Sequence, residues 1–211
     1  MKPPRPPSDV VHIVDDDEAV RRSLSLLLFS SGYDTQTHAS AEEFLDALRV
    51  MDAACVIADV RMPGMDGVGM LHEMRNRGSK VPVIIVTGHA DIALAVRAMK
   101  HGAVDFNEKP YSAADILAAT ASALRRNEAE RKHRAAMAEA AARIATLTGR
   151  ETEVFMSMVA GSQNKNIAHD LGISPRTVEI HRANIMEKLA CRNLADVVRL
   201  ALTAGVSSKV P

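Results

Sequence analysis

Four short stretches of this 211-residue chain are built like strands, and each runs into a charged or hydroxyl residue at its far end. Val10–Val14 (VVHIV) meets Asp15-Asp16-Asp17-Glu18. Ala54–Asp59 stops on a carboxylate, Val81–Thr87 (VPVIIVT) on a hydroxyl, and Val104–Lys109 on an ammonium followed by Pro110. Nearly continuous apolar runs suit strands buried on both faces, the condition of a parallel sheet. A fifth stretch, Tyr33–His38, alternates as a half-buried strand does. Between the strands, apolar residues recur at helical spacing. Ala19, Leu24, Leu27 and Leu28 run up to Gly32. Phe44, Leu45 and Leu48 follow the capping box Ser40–Glu43. Met70, Leu71 and Met74 run to Gly78. Ala93, Val96 and Met99 fall within Asp91–His101, and Ile116, Leu117 and Leu124 follow Ser112. The alternation predicts an α/β fold: a five-stranded parallel sheet, doubly wound, with helices on both faces.

A parallel arrangement brings the strand ends to one edge, where open α/β sheets carry their chemistry. Asp15, Asp16, Asp59, Thr87 and Lys109 converge there. Arg61, Pro63, Gly64 and Gly67 make a loop directly after Asp59. Several carboxylates and a loop carbonyl form a hard oxygen set that suits Mg²⁺ or Mn²⁺. A carboxylate beside such an ion can accept a phosphoryl group, which a Lys ammonium and a Thr hydroxyl then neutralise and hold.

These residues resemble the signature of receiver domains of two-component response regulators. The wording VRMPGMDG, VTGHAD, AVRAMKHGAVDF and EKPY is similar to that of the FixJ type. The resemblance implies a flavodoxin-like strand order and Asp59 as phosphoacceptor. It implies Mg²⁺ held by Asp16, Asp59 and the backbone carbonyl of Arg61, with Asp15 assisting through water. It makes Thr87 and Phe106 the switch residues and Lys109 the phosphoryl contact. It also implies a histidine kinase as partner and, once phosphorylated, a homodimer through the helix 91–101 and the strand after it. Asn107 departs from the pattern: it stands in the fifth strand where an apolar residue is usual, and an unpartnered amide buried there would cost roughly 1–3 kcal/mol.

Arg125–Ala145 is rich in Ala, Glu, Arg and Lys, lacks Gly and Pro, and is expected to prolong the preceding helix as a spacer. Its apolar residues do not sustain heptads. A second capping box, Thr148–Glu151, opens a further helix ending near Gly161. Asn164–Leu171 is a short helix closed by Gly172. Ser174-Pro175 starts another through Leu189, and Leu194–Ala204 makes the last. Helix, tight glycine turn and helix form a helix-turn-helix. On a helical wheel Val178, His181, Arg182, Ile185 and Leu189 face inward, while Glu179, Ile180, Ala183, Asn184 and Glu187 face out. A major groove would meet Ile180 and Ala183 at thymine methyls, Glu179 at cytosine, and Lys165, Arg176 and Lys188 at phosphates, with Thr177, Arg182 and Asn184 completing the set. LTGRETEVF, NKNIAHDLGISPRTVEIHRANIMEKL and LADVVRLAL resemble the LuxR-type DNA-binding domain, which makes residues 176–189 the recognition helix and double-stranded DNA the partner. Asn166 and Ser162 depart from the usual acid and Leu.

The expected organisation is a disordered tail (1–9), a receiver (10–126), a helical linker (127–146) and a helix-turn-helix domain (147–211). Charge follows that division. Residues 8–124 hold 17 acidic and 10 basic residues, and residues 147–211 hold 6 acidic and 8 basic, an acidic front for a cation and a mildly basic back for a polyanion. Cys55 and Cys191 lack the spacing of a disulfide framework or zinc site. No run of 18 apolar residues exists, so a soluble cytoplasmic protein without membrane association is expected. The residues alone leave two other readings open. One is an aspartyl-phosphate phosphatase, although Arg61 stands where that chemistry needs a second acid. The other is a helical output that works by protein contact. The resemblance implies a transcription factor rather than an enzyme.

Overall fold

Burial on both sheet faces dictates the layout of the first half of the chain. The computed structural model describes residues 10–48, 53–88 and 92–206; the tail expected at residues 1–9, and Asp91, expected to open a helix, lie outside them. The strands β1 (Val10–Val14), β2 (Asp34–His38), β3 (Cys55–Asp59), β4 (Val83–Thr87) and β5 (Asp105–Glu108) form one parallel sheet in the order β2-β1-β3-β4-β5. Val11, Ile13, Cys55, Ile57, Ile84 and Val86 pack on one face against α1 (Glu18–Ser30) and the start of α5 (Ala113–Ile144). Val14, Val56, Ala58, Val83 and Ile85 pack on the other against α2 (Ala41–Ala47), α3 (Gly67–Asn76) and α4 (Ile92–Lys100). Each fully buried Leu or Ile contributes roughly 1.5–3 kcal/mol, whereas an exposed ion pair such as Arg22–Glu18 contributes about 0–1 kcal/mol. The two apolar faces therefore hold the sheet. β4 starts two residues later than the apolar run does, at Val83; Pro82 has no N–H to give a ladder, although its carbonyl still accepts from the Val56 N–H at 2.9 Å.

The chain divides into two compact units between Ala129 and Glu130. The division falls inside α5, which runs unbroken for 32 residues. The spacer expected over 127–146 is helical, but its two ends are anchored. Asn127 is buried and donates from Nδ2 to the Ala54 carbonyl in the first unit at 2.9 Å. Ala140 is buried, and Ile144 packs on the core of the second unit. That core lies among α6 (Gly149–Val159), α7 (Asn164–Leu171), α8 (Pro175–Lys188) and α9 (Leu194–Thr203), around Val154, Phe155, Ile167, Val178, Ile185 and Val197. The capping box at Thr148 forms in both directions with Glu151, and Ser174 caps α8 by accepting from the Thr177 N–H.

One feature of the first unit was not expected. His12 and His38 are buried on the α2 face, their rings stacked 5.2 Å apart, with His12 Nδ1 2.9 Å from His38 Nε2 and the Phe44 ring set edgewise against both. Burial, then the charge His38 would carry, lowers the His12 pKa from 6.5 to about 4. Burial likewise lowers His38, opposed by Glu43, whose Oε1 lies 3.8 Å from His38 Nδ1. A histidine whose folded pKa lies below its unfolded value is neutral in the fold and takes up a proton on unfolding, so its contribution is complete above pH 6.5 and is lost as pH falls toward 4. Urea unfolding between pH 7.5 and 4.5 is expected to show the first unit losing roughly 2–3 kcal/mol across that window. His12→Leu is expected to flatten this part of the profile; an unchanged slope would assign the loss to other groups.

Candidate functional site

The site is assembled from the ends of β1, β3 and β4 and the residue after β5. Asp15, directly after β1, is buried; Asp59, the last residue of β3, is 5% exposed; Thr87, the last residue of β4, is fully buried. Lys109 follows β5, and its backbone N–H donates to the Thr87 carbonyl at 2.7 Å, which ties it to the end of β4. From there its ammonium lies 2.7 Å from Asp15 Oδ2 and 2.9 Å from Asp59 Oδ1. The remaining carboxylate oxygens take backbone donors: Asp15 Oδ1 accepts from the Asp17 N–H at 2.9 Å, and Asp59 Oδ2 from the Arg61 N–H at 2.8 Å. Asp16 is exposed at the rim. Phe106 is half-buried and packs on the α2–α4 side of the sheet.

Burial raises the Asp59 pKa above the ordinary carboxylate value. The Lys109 hydrogen bond and charge pull it down, and the Asp15 charge pushes it up again. Burial would lower Lys109, but the two carboxylates outweigh it and leave the ammonium above its ordinary value. Two close carboxylates thus share one cation, and with Asp16 the site carries an excess of negative charge. That charge and the all-oxygen donor set fit a hard divalent ion. Among the described residues no three His, Cys, Asp or Glu side chains form a ready metal cluster.

Gly67 was read from sequence only as part of the loop after Asp59, and Asp66 and Arg21 were not singled out. A Cβ at Gly67 would overlap the Asp59 carbonyl oxygen, so the glycine lets the start of α3 lie against the end of β3. Asp66 caps α3 by accepting from the Gly69 N–H and pairs through Oδ2 with Arg97 of α4 at 3.3 Å. Arg21 of α1 donates to the Asp15 carbonyl at 2.6 Å. The spacing of Asp66 before Gly69 is an N-cap signal; its pairing with Arg97 joins residues 31 positions apart, and nothing local announces it.

In the second unit, α7 and α8 are joined through Gly172, which adopts φ +66, and Ser174. Val178, Ile185 and Leu189 are buried; His181 and Arg182 are half-buried; Lys165, Arg176, Glu179, Ile180, Ala183 and Asn184 are exposed, Ile180 to 55%. Thr177 belongs to the α8 cap: its Oγ1 lies 2.8 Å from the Ser174 hydroxyl. Lys188 differs from the expectation of a free phosphate contact. Its Nζ lies 2.7 Å from Glu151 Oε2, the same oxygen that accepts from the Thr148 N–H. The Lys188 hydrogen bond, followed by the Thr148 N–H, holds the Glu151 carboxyl down at about 2. The ammonium is therefore spent on joining α8 to α6.

Comparison with known proteins decides the family. Residues 11–121 match the model of the response regulator receiver domain, and residues 145–201 that of bacterial regulatory proteins of the luxR family. The chain belongs to the two-component response regulators of the FixJ type. It is 50% identical over 202 residues to the transcriptional regulatory protein FixJ of Azorhizobium caulinodans, covering 96% of each chain. It is 44% identical to the C4-dicarboxylate transport transcriptional regulatory protein DctR of Rhodobacter capsulatus, covering 92% of this chain and 99% of that one. Among solved structures it is similar to full-length FixJ from B. japonicum (45% identity, TM-score 0.59, covering 94% of this chain and 98% of that one) and to the response regulator StyR (38%, 0.82, 92% and 98%). This response regulator is a transcriptional regulator of a two-component system, with a receiver fold followed by a LuxR-type DNA-binding domain.

Asn107 of this receiver is half-buried in β5 opposite Val86, and its Nδ2 atom is fully buried with no hydrogen-bond partner. The amide is thus in the unpartnered, buried condition that the sequence reading associated with a cost. Asn107→Val removes the unsatisfied donor and supplies a β-branched residue, so it is expected to stabilise the receiver by roughly 1–3 kcal/mol. A higher urea midpoint for first-unit unfolding is the check; a lower one would mean that the amide is paired in solution.

Proposed function

We propose that Asp59 is the phosphoacceptor and that its modification, by a partner histidine kinase in the cytoplasm, switches DNA binding by the second unit. The observation that carries this reading is the single Lys109 ammonium shared by Asp15 and Asp59 at 2.7 and 2.9 Å. A carboxylate oxygen of Asp59 attacks the phosphorus of the donor, and the bond to the donor nitrogen breaks. Lys109 opposes the effect of burial on the Asp59 carboxyl before transfer, and afterwards it faces the new phosphoryl oxygens together with the Thr87 hydroxyl. Asp15, Asp16, Asp59 and the Arg61 carbonyl are the groups that would hold Mg²⁺ (or Mn²⁺), which supplies charge neutralisation to the phosphoryl oxygens. Thr87 and Phe106 are the switch pair in this reading, and the response is a shift toward a homodimer. The apolar face of α4 supports it: Ile92 is 85%, Val96 46% and Met99 50% exposed. Phosphatase turnover is not favoured, because the position two residues beyond Asp59 carries an exposed arginine.

DNA is read, on this proposal, by α8. Ile180 and Ala183 meet thymine methyls, Glu179 and Asn184 meet base edges, and Lys165, Arg176, Thr177 and Arg182 meet phosphates or the groove edge. Lys188 acts within the fold.

Sedimentation of the full chain in Mg²⁺ with beryllium fluoride is expected to convert monomer to dimer, and Asp59→Asn is expected to abolish the change. Dimerisation of Asp59→Asn under the same conditions would refute the assignment of Asp59. For DNA, Arg176→Ala is expected to weaken binding to all duplexes and reduce the salt slope by about one. Ile180→Ala is expected to cost about 1–3 kcal/mol at a specific duplex only. Equal losses on both duplexes for Ile180→Ala would place the base-reading surface elsewhere.

A further inference from the structure

The recognition helix ends unlike its neighbours. α1, α3, α4, α6 and α9 stop at a glycine with positive φ (Gly32, Gly78, Gly102, Gly161, Gly205), and α7 does so at Gly172. In each case the next residue's N–H reaches back to the last turn, as in Tyr33 to Leu28 and Val206 to Ala201. α8 makes the same turn, with Ala190 N–H on the Glu187 carbonyl at 3.0 Å and Cys191 N–H on Met186 at 2.8 Å. The residue at its turning point is an alanine, Ala190, held at φ +46, and it is the one non-glycine residue with positive φ among the described residues. A methyl side chain is disfavoured in this conformation, and such residues persist where their surroundings hold them.

Two contacts hold the end of α8. The carbonyl of Leu189, left without an intrahelical partner at the cap, accepts from Nη2 of Arg143 on α5. That guanidinium also sets a positive charge against the negative pole of α8. Arg143 is itself fixed, because Ala140 one turn before it is buried and Ile144 packs into the core of the second unit. Lys188, one residue before the cap, is tied to Glu151 of α6. The C-terminal end of α8 is therefore pinned from two helices, while Ser174 caps its start and the outward face stays free.

We propose that Arg143 is a positioning residue for DNA recognition. By capping α8 from the last turn of α5, it sets the axial position and rotation in which Ile180, Ala183 and Asn184 meet base edges. Arg143 touches no base. This rests on the reading of α8 as the base-reading helix.

The test uses the full chain with Mg²⁺ and beryllium fluoride, a duplex selected by the wild-type chain from a random-sequence library, and a scrambled duplex of equal length. Arg143→Ala is expected to weaken the selected duplex about tenfold, comparable to one misread base pair, and the scrambled duplex by less than about twofold. The salt slope is expected to stay unchanged, since no phosphate contact is lost. Arg143→Lys, which keeps a cationic donor, is expected to recover most of the discrimination. Arg143→Ala with Ala190→Gly is expected to regain the wild-type unfolding midpoint without regaining discrimination. Three results would each overturn the proposal: equal losses on both duplexes with a smaller salt slope, which makes Arg143 a phosphate contact; discrimination restored by Ala190→Gly, which makes it a stabilising residue only; or no loss at all. Ile180→Ala is measured beside them. If it leaves discrimination intact, the reading of α8 fails and the role of Arg143 falls with it.

Discussion

Two carboxylates brought to one buried edge need a cation, and the rest of the receiver is arranged to deliver it. β1 and β3 are neighbours, so Asp15 and Asp59 stand side by side, while β5 lies beyond β4. With strands about 4.8 Å apart, the Lys109 backbone starts about 10 Å from β3. The long lysine side chain must cross the end of β4 to reach both acids. The hydrogen bond from the Lys109 N–H to the Thr87 carbonyl fixes where that crossing starts. A shorter cation, or a β5 displaced along the sheet, would leave two buried anions uncompensated, a cost of several kcal/mol. The ion pair is thus a condition on strand order and register as much as a feature of the site. It also means that any chemistry that changes the charge on Asp59 is felt at once by β1, β4 and β5.

The same separation between local and distant causes explains what the sequence made legible. β1, β3 and β4 were plain because their residues are buried on both faces, and burial of that kind leaves continuous apolar runs. The edge strand β5 was legible mainly from its ending, since Asp105, Phe106 and Asn107 are only half-buried. Caps and turns followed from single residues, as at Ser40, Thr148 and Ser174, because a cap is a contact over three positions. Contacts between distant residues left no such trace. The His12–His38 pair spans 26 positions, the Lys188–Glu151 pair 37 and the Arg143–Leu189 bond 46. Each partner has a sufficient local reason to be where it is, so periodicity gives no hint that they meet. Lys188 shows the consequence: counted as a cation on a helix, it looked available to DNA, and the fold had already claimed it.

That loss bears on how the second unit can bind a polyanion. Residues 147–211 hold only two more basic than acidic residues. Arg150 and Arg199 pair with Glu153 and Asp196, and Lys188 with Glu151. Lys165, Arg176, Arg182 and Arg192 form no ion pair among the described residues. Phosphate contact contributes to affinity through the number of cations that displace counterions. So few cations on one unit give a weak grip. Two units held together double the number, and the second binds at the effective concentration set by the first. On the proposed reading this scarcity is what makes the receiver's state decisive: an output domain too weak to hold a site alone gains nearly everything from pairing, whereas a strongly basic one would bind regardless of the signal.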